Sequence, residues 1–186
     1  MKLKLFLLLI SFQVFAGGII GQKAEEINDV KWQDKNGKSI TIPSIKEHKG
    51  KFVILKFWQS WCPGCLSKGL PDLKKLQDHF KNNKDVALYS AQTVFEGFSV
   101  NHPGKIKKIR DRFSLDLPMA HDDGKTHKEF NKSVLMSRYK AGGTPWFVII
   151  DPRGVVVFND FHLNTDQVIK LIDSKTKETK NKKNRS

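Results

Sequence analysis

Cysteine is scarce in this chain, which has only Cys62 and Cys65 among its 186 residues. A bridge between them would close a very short loop, and the stabilisation that a disulfide gives increases with loop length. A structural zinc site normally takes four ligands, whereas no second Cys-x-x-Cys pair occurs and the six histidines lack zinc-finger spacing. The scarcity of cysteine therefore excludes a disulfide-rich scaffold and favours a redox-active pair over a metal site.

No apolar run long enough to span a membrane follows the N-terminal segment. That segment has two early lysines and an apolar run, Leu3–Phe15, that ends at the small residue Ala16. This pattern predicts a cleaved signal peptide over residues 1–16. The alternative is an uncleaved anchor, although Leu5–Ile20 is shorter than the ~20 residues that span a bilayer as a helix. Either form predicts a periplasmic or otherwise extracytoplasmic protein, tethered to the membrane if the segment is retained.

Acidic residues are outnumbered, with 19 Asp and Glu against 33 Lys and Arg, so the formal net charge is +14. Part of this excess lies in residues 174–186, which contain no apolar side chain and are predicted to form a basic, flexible tail. Such a tail can bind an anionic membrane surface or a nucleic acid. Because export and the lack of interleaved aromatic residues both argue against nucleic acid, we expect no nucleic-acid partner.

Residues 24–173 show the alternation of strand and helix patterns that is typical of one α/β domain. The run Phe52–Trp58 (FVILKFW) predicts a strand buried on both faces, and Leu66–Phe80 has apolar residues at helical spacing. A hairpin of Asp29–Trp32 and Ser39–Ile42 precedes them. We predict a central mixed β-sheet flanked by helices, with this hairpin as an N-terminal extension. The other predicted strands are Val86–Val94, Leu117–His121, Trp146–Asp151 and Val155–Phe161. Three further helices are predicted: one that begins at Pro103, one within Thr126–Tyr139, and one over Thr165–Ile172.

The order of strand, Cys-x-x-Cys and helix places the cysteine pair where a helix begins. Unpaired backbone N–H groups and the helix dipole stabilise an anion at that point. We therefore predict that Cys62 is the nucleophilic thiolate and that Cys65, one turn further along, resolves the mixed disulfide by attacking Cys62. Pro63 suits the first helical turn because its fixed φ matches a helix and it has no N–H to satisfy.

Two strings carry a family resemblance: FVILKFWQSWCPGC, which ends at Cys65, and GGTPWFVIID, which contains Pro145. With the amphipathic helix between them, they resemble the thioredoxin superfamily, and within it the exported TlpA/ResA-type thiol-disulfide oxidoreductases. The resemblance covers Val30–Ile172. It implies a thioredoxin-like fold, and a redox-active Cys62–Cys65 disulfide in place of any bound cofactor.

The resemblance also implies roles for residues around the pair. Pro145 is expected to be a cis-proline that faces the cysteines and leaves the backbone of Thr144 free to pair with an extended substrate segment. Trp61 matches the family's active-site tryptophan and is expected to form an apolar docking surface. The alternatives are an ordinary trans proline and a partly buried core aromatic residue.

Two departures from thioredoxin bear on the reaction. Pro63-Gly64 stands between the cysteines in place of Gly-Pro, and this dipeptide influences redox poise, so the direction of the reaction stays open. Lys56 lies six residues before Cys62, where thioredoxin has a buried acid that handles protons for the second cysteine. If Lys56 faces the site, its ammonium would stabilise both thiolates; if it faces outward, it has no role. Glu96, in a later loop, is the other candidate for this proton relay.

These inferences predict a thiol-disulfide oxidoreductase that acts as a reductant on disulfides of exported proteins, for example in cytochrome c maturation. A membrane thiol reductase is the expected electron donor. The first alternative is a copper-binding chaperone of the same fold, in which Met119 and His121 would add ligands to the thiolates. A peroxiredoxin is the less favoured alternative, because Gln59 stands where a hydroxyl residue is expected and the preceding proline is missing.

Overall fold

The central sheet has seven strands in the order β2-β1-β5-β4-β3-β6-β7, within the residues that the computed structural model describes, 19–125 and 132–183. The predicted signal peptide, residues 1–16, lies outside this part of the chain. None of the described helices is long and apolar enough to cross a membrane. The strands are β1 (Trp32–Gln33), β2 (Ser39–Ile40), β3 (Phe52–Trp58), β4 (Val86–Thr93), β5 (Met119–Asp122), β6 (Trp146–Ile150) and β7 (Val156–Asp160), and the helices are α1 (Leu70–Phe80), α2 (Lys105–Phe113), α3 (Val134–Arg138) and α4 (Thr165–Lys183).

The sheet is mixed, as predicted. β3 pairs in parallel with β4, and β4 in parallel with β5, while β6 joins β3 and β7 joins β6 in antiparallel orientation. Parallel neighbours need a crossover connection, which the helical segments after β3 and β4 supply. Strands β4 to β7 begin and end within two residues of the predicted limits.

β3 is an interior strand between β4 and β6, and all seven of its side chains are buried. Ile54 and Trp58 pack on the face that carries α1, whereas Leu55 and Phe57 belong to the core on the other face. Burial on both faces explains the nearly continuous apolar run that predicted this strand. Because side chains alternate along a strand, Lys56 shares the α1 face.

The predicted N-terminal hairpin is present, with strands shorter than predicted. β1 and β2 pair across a turn in which the Gly37 N–H donates to the Asp34 carbonyl (3.0 Å) and the Asp34 carboxylate accepts from the Lys38 N–H (2.8 Å). Trp32 is buried, and its indole N–H donates to the carbonyl of Ile27 (2.7 Å). β1 also pairs antiparallel with β5, so the hairpin covers an edge of the sheet that would otherwise be open to other strands.

α3 is the described part of the predicted helical stretch Thr126–Tyr139, of which residues 126–131 lie outside the described residues. The buried carboxylate of Asp122 binds the start of this helix. It accepts hydrogen bonds from the Ser133 hydroxyl (2.6 Å) and from the N–H groups of Val134 (3.0 Å) and Leu135 (2.8 Å). These bonds connect the end of β5 to α3 and satisfy N–H groups that a helix start leaves free.

α4 extends further than the sequence pattern indicated. Apolar residues stop at Ile172, where the predicted helix ends, but α4 continues to Lys183 and so enters the predicted basic tail. The buried Thr176 donates its hydroxyl to the Ile172 carbonyl (3.0 Å), and Lys175 pairs with Glu178 (3.2 Å). The predicted end at Ile172 is wrong, because residues of good helix propensity and side-chain pairs three positions apart continue a helix without an apolar face.

Candidate active site

Cys62 and Cys65 lie at the junction between β3 and the helix that follows it. The two residues form a disulfide, with their Cα atoms 5.2 Å apart. Cys62 is 6% exposed and Cys65 is 0% exposed. A dithiol needs an attacking sulfur that a partner can reach and a second sulfur that meets only the first, and this asymmetry fits that need.

A π-helical turn carries the second cysteine. Pro63-Gly64 is already helical, Cys65–Gly69 forms the π turn, and the N–H of Leu70 donates to the carbonyl of Cys65. The Cys65 N–H donates to Cys62 Sγ at 3.1 Å. This N–H group and the dipole of the helix stabilise a thiolate on Cys62 once the disulfide opens. Single π turns within α-helices are frequent at functional sites.

The Thr144–Pro145 peptide bond is cis, as predicted. Pro145 packs against the start of the helix so closely that a Cβ on Gly64 would lie 3.2 Å from Pro145 Cδ. The carbonyl oxygen of Thr144 lies 3.4 Å from Cys62 Sγ. The segment that precedes β6 therefore lies directly against the cysteine pair, while the pairing of Thr144 with a substrate strand stays a prediction.

Trp61 lies next to Cys62 with 45% of its surface exposed, so it is not a core residue. The loop after β4 lies against its indole ring: a Cβ on Gly97 would be 2.8 Å from Trp61 Nε1. This loop also exposes Phe98 (40%) and Val100 (43%). We call the exposed side chains of Trp61, Phe98 and Val100 the apolar rim. Phe98 and Val100 were not among the predicted site residues, although two large apolar residues in a loop are a signal of such a surface.

Asn101 connects the loop before Cys62 to the loop after β4. It is 1% exposed, and its Oδ1 accepts from the N–H (2.8 Å) and the hydroxyl (2.9 Å) of Ser60. Its Nδ2 donates to the carbonyl of Glu96 (3.1 Å). These bonds position the backbone that leads to Cys62. Asn101 was not among the predicted site residues, because a single asparagine in a loop forms no recognisable sequence pattern.

Lys56 lies on the face of the sheet that carries α1 and the cysteine pair, and it is 0% exposed. The alternative in which it faces outward is therefore wrong. Its Nζ lies 3.9 Å from the centroid of the Phe147 ring. No hydrogen-bond partner for Nζ exists among the described residues. Burial lowers the pKa of Lys56 well below its ordinary value of 10.5; the charge of Asp72 opposes this shift and that of Lys68 adds to it.

Gly69 explains how the buried lysine fits beneath the helix. A Cβ on Gly69 would lie 2.6 Å from Lys56 Nζ and 2.7 Å from Pro145 Cβ. The helix therefore has a glycine where both side chains need the space. This role of Gly69 was not predicted, although a glycine inside a helical pattern often has a packing or functional reason.

The other candidate residues have less direct links to the pair. Glu96 is exposed on its loop, and its role as a proton relay stays a prediction.

Met119 packs in the same apolar cluster as both cysteines. His121 places Nδ1 2.9 Å from Gln92 Oε1 and Nε2 3.5 Å from the Asp123 carboxylate; burial lowers the pKa of His121, while Asp123 raises it. In the described ranges no group of three or more His, Cys, Asp or Glu side chains could hold a metal ion, and the copper alternative stays a prediction.

This chain is similar in sequence and fold to known proteins. Residues 20–159 match the AhpC/TSA family. The thiol-disulfide oxidoreductase ResA of Bacillus cereus is 29% identical over 126 residues, which are 67% of this chain and 61% of that protein. The crystal structure of the thioredoxin-like superfamily protein SPOA0173 matches with a TM-score of 0.70 at 24% identity, covering 82% of this chain and 94% of that chain. The exposed lipoprotein thioredoxin Etrx1 of Streptococcus pneumoniae matches with a TM-score of 0.54 at 22% identity, covering 81% of this chain and 99% of that chain.

The solved structures confirm the thioredoxin-like fold that the sequence predicted. The family match includes β3, the cysteine pair and the cis-proline, which are the parts of the molecule that meet at the site. The chain therefore belongs to the AhpC/TSA family, and within the thioredoxin superfamily it is similar to the TlpA/ResA-type thiol-disulfide oxidoreductases.

Proposed function

We propose that this protein reduces disulfides of exported proteins through the dithiol of Cys62 and Cys65. The observation that carries the proposal is the placement of the pair, with Cys62 6% exposed beside the Thr144 carbonyl and Cys65 fully buried. A bridge that closes so short a loop contributes little to stability, so a structural role does not explain it. A reactive role explains both the short spacing and the difference in exposure.

The reaction begins at Cys62. Its thiolate attacks one sulfur of the substrate disulfide, forms a mixed disulfide and releases the other substrate sulfur as a thiolate. Cys65 then loses its proton and attacks Cys62 Sγ, which breaks the mixed disulfide and releases the second substrate sulfur. Two electrons have passed to the substrate, and the protein is left with the Cys62–Cys65 disulfide that the structure contains.

The substrate in this proposal is an extended polypeptide segment that carries a disulfide. The backbone of Thr144 lies beside Cys62 and can pair with such a segment in the manner of an added strand. The apolar rim lies on the two loops next to Cys62 and can hold apolar side chains on either side of the substrate cysteine. Together they supply backbone recognition and apolar contact around one reactive sulfur.

The proposed setting is extracytoplasmic, which the signal-like segment over residues 1–16 and the TlpA/ResA-like character support. A compartment of this kind lacks a reducing cofactor pool, so a membrane thiol reductase must return the disulfide to the dithiol. Cytochrome c maturation is the proposed use, because haem attachment to a Cys-x-x-Cys-His segment requires free thiols on an exported protein.

Single-cysteine variants test the exchange chemistry. Cys65→Ser should accumulate a mixed disulfide with a disulfide peptide, whereas Cys62→Ser should form none, because only Cys62 starts the reaction. Both variants should lose insulin reduction in the presence of dithiothreitol, while Ser67→Ala, an exposed change on the same helix, should keep the wild-type rate. Undiminished insulin reduction by Cys62→Ser would overturn the proposal.

The direction of the reaction is tested by the reduction potential of the pair, measured in a dithiothreitol or glutathione series. A reductant should have a potential near the ~−270 mV of thioredoxin. A potential near the ~−120 mV of a strong oxidant would overturn the proposed direction and leave the exchange chemistry intact.

A further inference from the structure

A series of hydrogen bonds joins strand β5 to the loop before Cys62. The N–H of Ser60 and the Nε2 group of Gln92 both donate to Asn101 Oδ1, at 2.8 and 3.4 Å. The Gln92 side chain places its Oε1 2.9 Å from Nδ1 of His121. Gln92 and His121 are paired residues on the neighbouring strands β4 and β5. The series therefore runs from the sheet, through two side-chain amides, to the residue two positions before Cys62.

The backbone fixes the direction of donation along this series. A backbone N–H can only donate, so the side-chain oxygen of Asn101, and not its nitrogen, must face Ser60. Because this oxygen can only accept, the amide nitrogen of Gln92 turns toward Asn101 and the amide oxygen of Gln92 turns toward His121. His121 must then have a proton on Nδ1 to donate to that oxygen. The state of the histidine ring thus follows from a backbone group at the end of β3, two strands away.

His121 is also held from its other side. Its Nε2 lies 3.5 Å from the Asp123 carboxylate, which binds the Lys125 ammonium at 3.1 Å. The imidazole side chain is only 13% exposed, and Gln92 is fully buried. Buried polar side chains whose hydrogen bonds are made rigidify the structure around them. The ring of His121 is therefore a fixed donor and not a solvated side chain.

Asn101 connects this series to the loop after β4, which carries two members of the apolar rim. Its backbone N–H donates to the carbonyl of Gly97 (2.9 Å), which closes the loop on itself. The hydroxyl of Ser60 lies 2.8 Å from the carbonyl oxygen of Val100. These bonds hold the loop against the segment that carries Trp61, the third member of the rim.

We propose that His121 is a positioning residue for substrate binding, an inference that rests on the proposed function and deepens it. Through Gln92, His121 orients the amide of Asn101, and Asn101 sets the distance between the two loops of the apolar rim. The rim then binds apolar side chains of the substrate while the substrate disulfide meets Cys62. His121 acts on binding, and the exchange of electrons stays with Cys62 and Cys65.

Single-turnover oxidation of the reduced protein by two disulfides separates binding from exchange. One is a fluorogenic disulfide peptide with phenylalanine on both sides of its cysteine, and the other is hydroxyethyl disulfide, which is too small to contact the rim. His121→Leu removes the Nδ1 donor and should raise the half-saturating peptide concentration about tenfold, the size of one lost apolar contact. The limiting rate should stay within about twofold, because uniform binding does not affect the chemical step. The rate with hydroxyethyl disulfide should not change.

A conservative variant tests whether the donor itself is needed. His121→Asn restores an N–H near the position of Nδ1 and should bring the half-saturating concentration back to within about twofold of the wild type. His79→Leu is the control, because this histidine lies on α1 and binds Asp173, and it should match the wild type. In a Phe98→Ser background, adding His121→Leu should have no further effect on peptide binding, since the contact that it positions is already lost.

The outcomes separate this inference from the proposed function. An unchanged half-saturating concentration in His121→Leu, an equal slowing with both disulfides, or no rescue by His121→Asn would overturn the positioning role. If neither disulfide oxidises the wild type, the proposed function fails instead. If His121→Leu does not fold, ¹H–¹⁵N correlation spectra of the wild-type imidazole rings decide the question. Nδ1 of His121 should have a proton, and a ring with its proton on Nε2 alone would overturn the inference.

Discussion

Asp122 and Lys56 are two ionisable side chains buried in the same sheet, and their surroundings differ. The Asp122 carboxylate accepts hydrogen bonds from Ser133, Val134 and Leu135. Lys56 Nζ lies over an aromatic ring, with no hydrogen-bond partner among the described residues. A buried group with its hydrogen bonds made holds two elements together, whereas one without them lowers stability. The contrast distinguishes a structural site, at Asp122, from an unpaired one, at Lys56, by hydrogen bonding, since both side chains are buried.

The largest expected effect is at the structural site. Asp122→Ala removes one acceptor and leaves the donors of Ser133, Val134 and Leu135 unpaired, so the free energy of unfolding should fall by about 3–5 kcal/mol. Urea denaturation gives this value. Asp78→Ala, the exposed partner of Lys74, is the control and should change the free energy by less than about 1 kcal/mol. If Asp122→Ala lowers the free energy of unfolding no more than Asp78→Ala does, the structural role of Asp122 is contradicted.

The next largest effect on stability is expected at Gly69, beside Lys56. Gly69→Ala places a methyl group against Lys56 and Pro145, so overpacking should lower the free energy of unfolding by about 1–3 kcal/mol. Gly64→Ala is the matched control, because its Cβ would have a longer contact of 3.2 Å with Pro145 Cδ. Thermal or urea unfolding of both variants measures the difference. Equal stability of the two would contradict the close packing around Gly69.

The smallest expected effect has the opposite sign. Lys56→Met should raise the free energy of unfolding at neutral pH by about 1–2 kcal/mol, because it removes a buried group that lacks a partner. The folded state lowers the pKa of Lys56, whereas the unfolded chain titrates near 10.5, so the unfolded state binds more protons between these values. The part of the destabilisation that depends on this pKa difference is therefore lost above pH 10.5 and grows as the pH falls below it.

Urea unfolding of Lys56→Met and the wild type at pH 7 and pH 10 tests that sign. The gain from methionine should shrink as the pH approaches 10.5, since both states then hold a neutral amine. A gain that does not change with pH would show that the pKa of Lys56 is unperturbed in the fold. A loss of stability would show that the ring contact with Phe147 outweighs burial.

The sequence predicted the parts of the fold that follow from local patterns. β3 has the predicted limits, because a strand buried on both faces leaves a continuous apolar run. The predicted extent of α4 was wrong, because helix propensity and charge pairs can continue a helix without leaving an apolar periodicity in the sequence. At the site, Cys62 and Cys65 were named because thiols carry the chemistry, and Pro145 was named because of the family resemblance. Asn101 and Gly69 were not, since their roles come from contacts between distant segments.

The burial of Cys65 has a consequence for survival under oxidative stress. A peroxide that reaches the molecule meets Cys62 first and converts its thiolate to a sulfenic acid, the reversible stage of cysteine oxidation. The Cys65 thiol lies one turn away, with its Cα atom 5.2 Å from that of Cys62, and can condense with the sulfenic acid to release water. The product is the Cys62–Cys65 disulfide that the structure contains, so an oxidant that would irreversibly modify an isolated cysteine leaves this protein in a form that a thiol reductant can restore.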